Sequence, residues 1–241
     1  MKITEATWMV LDTETTGLKP KEGAQVIELG WCIIKSMAIE GSANFLINPG
    51  KPIPPEITKI TGISDADVQD EPMFGDIAGK FFPEYSSADF ILAYNAKFDR
   101  DMLEAEFTRI GSTLPQKLWL DPLIWARTFA QNPDNKLASM SKQFGVSLER
   151  AHRADADAAA TAEIAMKFFQ WGVEEAAFPD DVDQLKQLER GWRAGNMAKS
   201  SREKSIKNTM TGEPGQYAQN VFDNYNRDRL MKLANRGRWG K

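Results

Sequence analysis

The first apolar run, Thr7-Trp8-Met9-Val10-Leu11-Asp12-Thr13, has the length and residue types of a strand. It carries Trp8, Val10 and Asp12 on one face and Met9, Leu11 and Thr13 on the other. Thr15-Thr16-Gly17-Leu18-Lys19-Pro20 reads as a turn or loop. The pattern predicts strands over 25–35 and 37–47 as antiparallel neighbours, then an irregular connection through the prolines of 49–55. Short helices are predicted at 57–63 and 74–85, and a buried strand at 89–94. An amphipathic helix follows from Lys97 to Ile110, with Phe98, Met102, Leu103 and Phe107 apolar. A short strand at 118–120 precedes helical stretches at 122–130 and 137–144. A helix from Ala154 to Trp171 turns Ala158, Thr161, Ala165, Phe168 and Phe169 inward.

Three early strands and then alternating helix and strand predict an α/β fold, a mixed sheet covered by helices. The body is expected to end near Trp171, dividing the chain into a domain over 1–175 and an extension over 176–241 that is partly helical. In that extension a helix starts at Phe178-Pro179-Asp180-Asp181 and runs to about Arg190. A polar linker is expected near 200–215, and a weak helical pattern passes through Tyr217, Val221, Phe222 and Tyr225.

At 241 residues with 42% hydrophobic and 27% charged residues, the chain has a soluble globular balance and needs no staples. Its one cysteine, Cys32, excludes an intrachain disulfide and, with a single histidine, leaves structural zinc only carboxylates to bind. The longest apolar stretches, such as Phe90–Tyr94, are too short to cross a membrane, so a reducing, cytoplasmic setting without membrane contact is expected. The net charge of −4 conceals an asymmetry. From Arg190 to Lys241 there are 12 Lys or Arg against 4 Asp or Glu, which leaves 18 of the 30 basic and 30 of the 34 acidic residues in the body. Acids can ligate metal, and a basic arm can meet phosphates.

Three places can carry chemistry. Asp12 and Glu14, two apart on a strand, place both carboxyls on one side, where they repel and resist desolvation unless a divalent cation joins them. If the strand stops at Leu11 they are instead ordinary solvated acids. Asp99, in Asn95-Ala96-Lys97-Phe98-Asp99, lies where a buried strand passes into a helix. That position suits helix capping, and it is also where ligands gather in α/β sheets. Asn95 beside it can orient neighbours through its amide. His152 precedes a helix whose Asp157 aligns with inward-facing Thr161 and Phe168. A surface loop residue and a helix-start acid would account for both, but the imidazole is the one group here suited to proton transfer near neutral pH.

A D-x-E strand, N-x-x-F-D at a strand–helix junction and H-x-x-x-x-D entering a late helix, in that order, resemble the DEDD exonucleases. The histidine marks the DEDDh or DnaQ-like family, which includes the proofreading epsilon subunit of bacterial DNA polymerase III. The resemblance spans about residues 7–170. Asp12-Thr13-Glu14-Thr15-Thr16-Gly17-Leu18 matches the opening motif in full, and Ala154 fits the third, whereas Tyr94 stands where a histidine often precedes the asparagine.

The resemblance implies a ribonuclease H-like mixed sheet with helices on both faces. It implies 3′→5′ hydrolysis of DNA to nucleoside 5′-monophosphates with two divalent cations, Mg²⁺ with Mn²⁺ able to substitute. Asp12, Glu14 and Asp157 would hold one cation, Asp12 and Asp99 the other, and His152 would act as general base. It further implies that Thr15, Thr16 and Leu18 meet the terminal nucleotide and that Phe98 packs on the substrate. The expected partner is single-stranded DNA or a frayed 3′ end, with RNA as the alternative substrate. The basic tail, Arg227, Arg229, Lys232, Arg236 and Arg238 with Tyr225 and Trp239, suits a phosphate-binding arm or docking on a polymerase or a second copy. A catalytically silent nucleic-acid-binding or polymerase-docking module is the reading from another class, opposed by the intact set of acids.

Overall fold

The computed structural model describes residues 1–130, 134–148, 150–174 and 177–208, with side chains described to residue 196 in the last segment. The expectations for 209–215, for the 217–233 pattern and for the basic tail lie outside the described residues.

The strands β1 (Trp8–Thr15), β2 (Val26–Lys35), β3 (Ala38–Leu46), β4 (Phe90–Leu92) and β5 (Leu118–Leu120) form one sheet in the order β3-β2-β1-β4-β5. β1 pairs antiparallel with β2 and parallel with β4, β2 antiparallel with β3, and β4 parallel with β5. The helices are α1 (Pro55–Thr61), α2 (Asp65–Val68), α3 (Phe74–Ser87), α4 (Lys97–Arg109), α5 (Pro122–Phe129), α6 (Leu137–Phe144), α7 (Ala154–Glu174) and α8 (Val182–Asn208). The mixed sheet with helices on both faces is the ribonuclease H-like architecture expected.

The alternation in β1 separates two cores. Trp8 and Val10 pack with Ala160, Ile164, Phe168 and Phe169 of α7 and Trp125 of α5. Met9 and Leu11 pack on the opposite face with Phe81 of α3 and Met102, Leu103 and Phe107 of α4. A strand buried on both faces needs the unbroken apolar run that β1 has. β3, at the edge, is exposed over its first half and half-buried over its second, with Glu40, Ser42 and Asn44 as its polar residues.

Three boundaries differ from the pattern. β1 continues to Thr15, so Glu14 is a strand residue, because Gln25 and Val26 of the returning chain extend the ladder. The packed body also runs past Trp171. Gly172 has no side chain, and a Cβ there would sit 2.4 Å from Cγ of Phe178, so Phe178 tucks against α7. Phe178, Val182 and Leu185 are buried in the α7 core. The acids around them, Asp180, Asp181 and Asp183, dilute the apolar period that would have revealed this. α8 continues to Asn208, into the stretch expected to be linker.

Candidate active site

Pairing between β1 and β4 stops at Val10 and Leu92. Beyond that point β4 turns into α4, and the last residues of β1 border the helix start instead of a strand. The Thr13 amide and hydroxyl both donate to Oδ1 of Asp99, at 3.0 and 2.8 Å. Asp99 thus lies in the first turn of α4, as its position allows, and also reaches back to the strand. The turn before it places Asn95 at φ +73°, exposed, with its backbone N–H donating to Oδ1 of Asp121 at 3.0 Å.

On the α7 side, Asp12 faces Gly30 and Glu14 faces Glu28 across the β1–β2 ladder, whose register slips between Glu14 and Thr15. A bulge of this kind re-aims side chains at the end of a strand. Gly30 is the seat of the helix: a Cβ there would lie 2.4 Å from the Ala154 carbonyl carbon and from the Asp155 amide nitrogen. Glu28, fully buried, fixes the same helix start. It accepts from Nη2 of Arg153 at 2.7 Å, from the Ala154 amide at 3.0 Å and from the Asn44 side chain at 2.7 Å. The first turn of α7 is thereby laid over the end of β1.

Three of the expected residues meet directly. Ligand atoms of Glu14, His152 and Asp157 lie within 4.8 Å of one another. His152, exposed and at φ +64°, donates its amide to Oδ2 of Asp157 at 3.2 Å, which turns the loop so that the ring flanks the acids. Asp12 joins the group electrostatically. Burial, then repulsion from Asp99, Asp157 and Glu14, raises its carboxyl well above the usual range. Glu14 is pushed up to about 8, first by burial and then by Asp157 and Glu28. Burial raises Asp99 to about 7 against the opposing bonds from Thr13, and raises Asp157 to about 6. Oδ1 of Asp157 is buried without a hydrogen-bond partner. Hard oxygen donors crowded together, with one buried oxygen unsatisfied, are the donor set of a divalent cation site.

The residues expected to touch substrate divide. Leu18 is 79% exposed, and Phe98 is half-buried against the α3–α4 core. The Thr15 hydroxyl donates to the Gly17 carbonyl at 2.7 Å, the Thr16 hydroxyl accepts from the Gln25 amide at 3.0 Å, and the Thr16 amide donates to the Gln25 carbonyl at 2.8 Å. Both threonines thus shape the loop. Tyr94, half-buried, donates its hydroxyl to the Asn135 carbonyl at 2.7 Å and so ties down the approach to α6. The pattern did not single out Thr13, Glu28, Gly30, Arg153 or Asp121. A charged residue inside the otherwise apolar Val26-Ile27-Glu28-Leu29 was the one available signal.

The exonuclease family profile matches residues 9–165. A PolC-type DNA polymerase III of Caldanaerobacter subterraneus is 35% identical over 167 residues, 69% of this chain and 12% of that much longer protein. The DNA polymerase III epsilon subunit of Rickettsia conorii is 33% identical over 177 residues, 70% of this chain and 76% of the subunit. Among solved structures, the nuclease domain of 3′hExo, a DEDDh family member bound to rAMP, superposes with a TM-score of 0.62 at 18% identity, covering 72% of this chain and 96% of that one. The match runs from β1, which carries Asp12 and Glu14, into α7, which carries Asp157, and those are the elements that meet at the acid cluster; the chain belongs to the exonuclease family and, within it, to the DEDDh or DnaQ-like nucleases.

Proposed function

We propose that the protein is a metal-dependent 3′→5′ exonuclease that shortens DNA by one nucleoside 5′-monophosphate at a time. The observation that carries this reading is the convergence of Glu14, His152 and Asp157 beside Asp12 and Asp99. Asp12, Glu14 and Asp157 would hold one divalent cation and Asp12 with Asp99 would hold a second, Mg²⁺ with Mn²⁺ as substitute. When bound, such cations lower the pKa of a water and neutralise charge on the leaving oxygen.

The chain's own groups do the rest. His152 takes the proton of the attacking water at its ring nitrogen, contributing about 10²–10⁴-fold as general base. The water oxygen bonds to phosphorus, and the bond from phosphorus to the 3′ oxygen of the preceding nucleotide breaks; that oxygen leaves with the bonding electrons and takes a proton from solvent, while His152 returns its own proton to solvent. Leu18 wedges at the terminal base and Phe98 packs beside it. Base stacking on an aromatic ring such as that of Phe98 is worth about 1–3 kcal/mol and tolerates any sequence. The Thr15–Thr16 loop and the Asn95 turn frame the strand end. The nuclease unit is residues 1–175 together with the start of the 176–241 extension, whose Phe178, Val182 and Leu185 pack into its core.

The test uses 5′-labelled single- and double-stranded DNA and RNA with Mg²⁺, Mn²⁺ or EDTA. A ladder descending by one nucleotide, absent with EDTA, is expected, strongest on single-stranded DNA. A stronger ladder on RNA would reassign the substrate, and no product on any strand would leave a silent binding module. His152→Ala is expected to lower kcat with little change in Mn²⁺ affinity, whereas Asp12→Ala abolishes metal-dependent turnover. If His152→Ala weakened Mn²⁺ binding as much as Glu14→Gln, the imidazole would be a ligand and the base assignment wrong.

A further inference from the structure

The last described helix, α8, lies beyond the stretch matched by the family profile, yet polar bonds connect it to the turn that presents Asp99. We propose that Glu189 and Arg193 of α8 are positioning residues, acting through Asp121 on the Asn95 turn and so on Asp99. This inference rests on the reading of Asp99 as a metal ligand.

Glu189 is buried. Its Oε2 accepts from the Asp121 amide at 2.9 Å and from Nε1 of Trp125 at 3.1 Å, and its Oε1 accepts from Nζ of Lys186 at 2.8 Å. Lys186 also donates to the Trp119 carbonyl. Asp121 is buried too. Its Oδ1 accepts from the Asn95 amide at 3.0 Å and from Leu123 at 3.1 Å, and its Oδ2 accepts from Nη2 of Arg193 at 3.2 Å. One residue therefore joins α8, the β5–α5 junction and the β4–α4 turn.

Packing alone needs none of this. α8 is already seated by Val182, Leu185 and the edge-on contact of Trp192 with Phe129 at 4.9 Å. Two buried carboxylates are a poor way to gain stability, but they specify geometry well. The turn they hold has a non-glycine residue in the left-handed region, a conformation that persists when its surroundings determine it. Asp99 follows Asn95 by one helical turn. Its other restraint, Thr13, belongs to β1 and is independent of α8. Loss of the α8 bonds therefore loosens one of two restraints and does not unfold the site.

The experiment compares full-length Glu189→Ala, Arg193→Gln and, as a packing control, Leu185→Ala, at a temperature where circular dichroism shows each folded. Hydrogen exchange is followed in metal-free protein over a peptide spanning 93–99, and Mn²⁺ binding by calorimetry. Glu189→Ala and Arg193→Gln should speed exchange of that peptide about tenfold, as expected for losing charge-assisted bonds. Mn²⁺ affinity should fall about tenfold, the usual loss when an outer partner of a ligand is removed. Leu185→Ala should lower the melting temperature without either effect. If Glu189→Ala does not fold, Arg193→Gln, at a half-exposed position, decides alone. Equal exchange and equal Mn²⁺ affinity in all three variants would overturn the proposal. If the parent protein bound no Mn²⁺ while the exchange differences appeared, the metal reading would fail and the coupling of α8 to the turn would stand.

Discussion

Gly30→Ala separates the seating of α7 from ordinary strand preference, because the two predict opposite signs. Gly30 has no positive φ, and replacing a strand glycine by alanine normally stabilises by about 0.5–1 kcal/mol. Here the new Cβ would lie 2.4 Å from Ala154 C and Asp155 N and 2.6 Å from Ala154 O. Ordinary contact begins at 3.4 Å, and all three atoms are backbone, so no side chain can swing away. Strand and helix must part by about 1 Å in an interior that is close-packed. Overpacking of this kind costs about 1–3 kcal/mol, which lowers the melting temperature of a chain this size by about 2–12 °C. The displaced element carries Asp157 and follows His152, and a misplacement of about 1 Å can cost ~10²-fold in rate. Thermal melts and initial rates of 3′-nucleotide release at saturating metal measure both effects. Gly41→Ala on the exposed edge strand, where nothing lies within 4 Å, is the control and should be neutral or stabilising. A Gly30→Ala protein as stable and as active as its parent would refute the close approach of α7 to β2.

Three further outcomes are expected. In metal-free protein Glu14, Asp99 and Asp157 are held up to about 8, 7 and 6, chiefly by burial. Folded values above the unfolded carboxylate range of about 4 give stability that is complete below that range and is lost progressively as pH rises from about 4 to about 8. The melting temperature in chelator should therefore fall over that window and flatten when Mg²⁺ is added; a rise with pH in chelator would contradict the acid cluster. Glu28→Ala leaves Arg153 and the Ala154 amide without their acceptor and should cost about 3 kcal/mol in urea unfolding, with a parallel loss of rate. Truncation after Asn208 spares every described contact of α8, so if the basic tail is a phosphate-binding arm, affinity for single strands falls and the log–log salt slope flattens by ~0.7 per lost contact. Unchanged affinity and slope would assign the tail to docking.

Much of the architecture was legible locally. The two faces of β1, the inward face of α7 and the position of His152 before its helix all follow from periods of two and 3.6, which report burial within a few residues. The order of the acid-bearing segments pointed to the family before any geometry. What holds those acids was not legible, because each restraint is a contact between distant parts of the chain. Glu28 meets Arg153 across 125 positions, and Asp121 meets Glu189 across 68. Periodicity marks a buried position without saying what it is buried against. In the sequence Glu28 is one of 34 acids and Gly30 a glycine inside a predicted strand, and the helix after Phe178 begins the expected extension. Tertiary packing turned the first into the clamp on α7, the second into the clearance that lets α7 approach, and the third into part of the body. A carboxylate held out of water requires a specific partner, and only the folded chain supplies it.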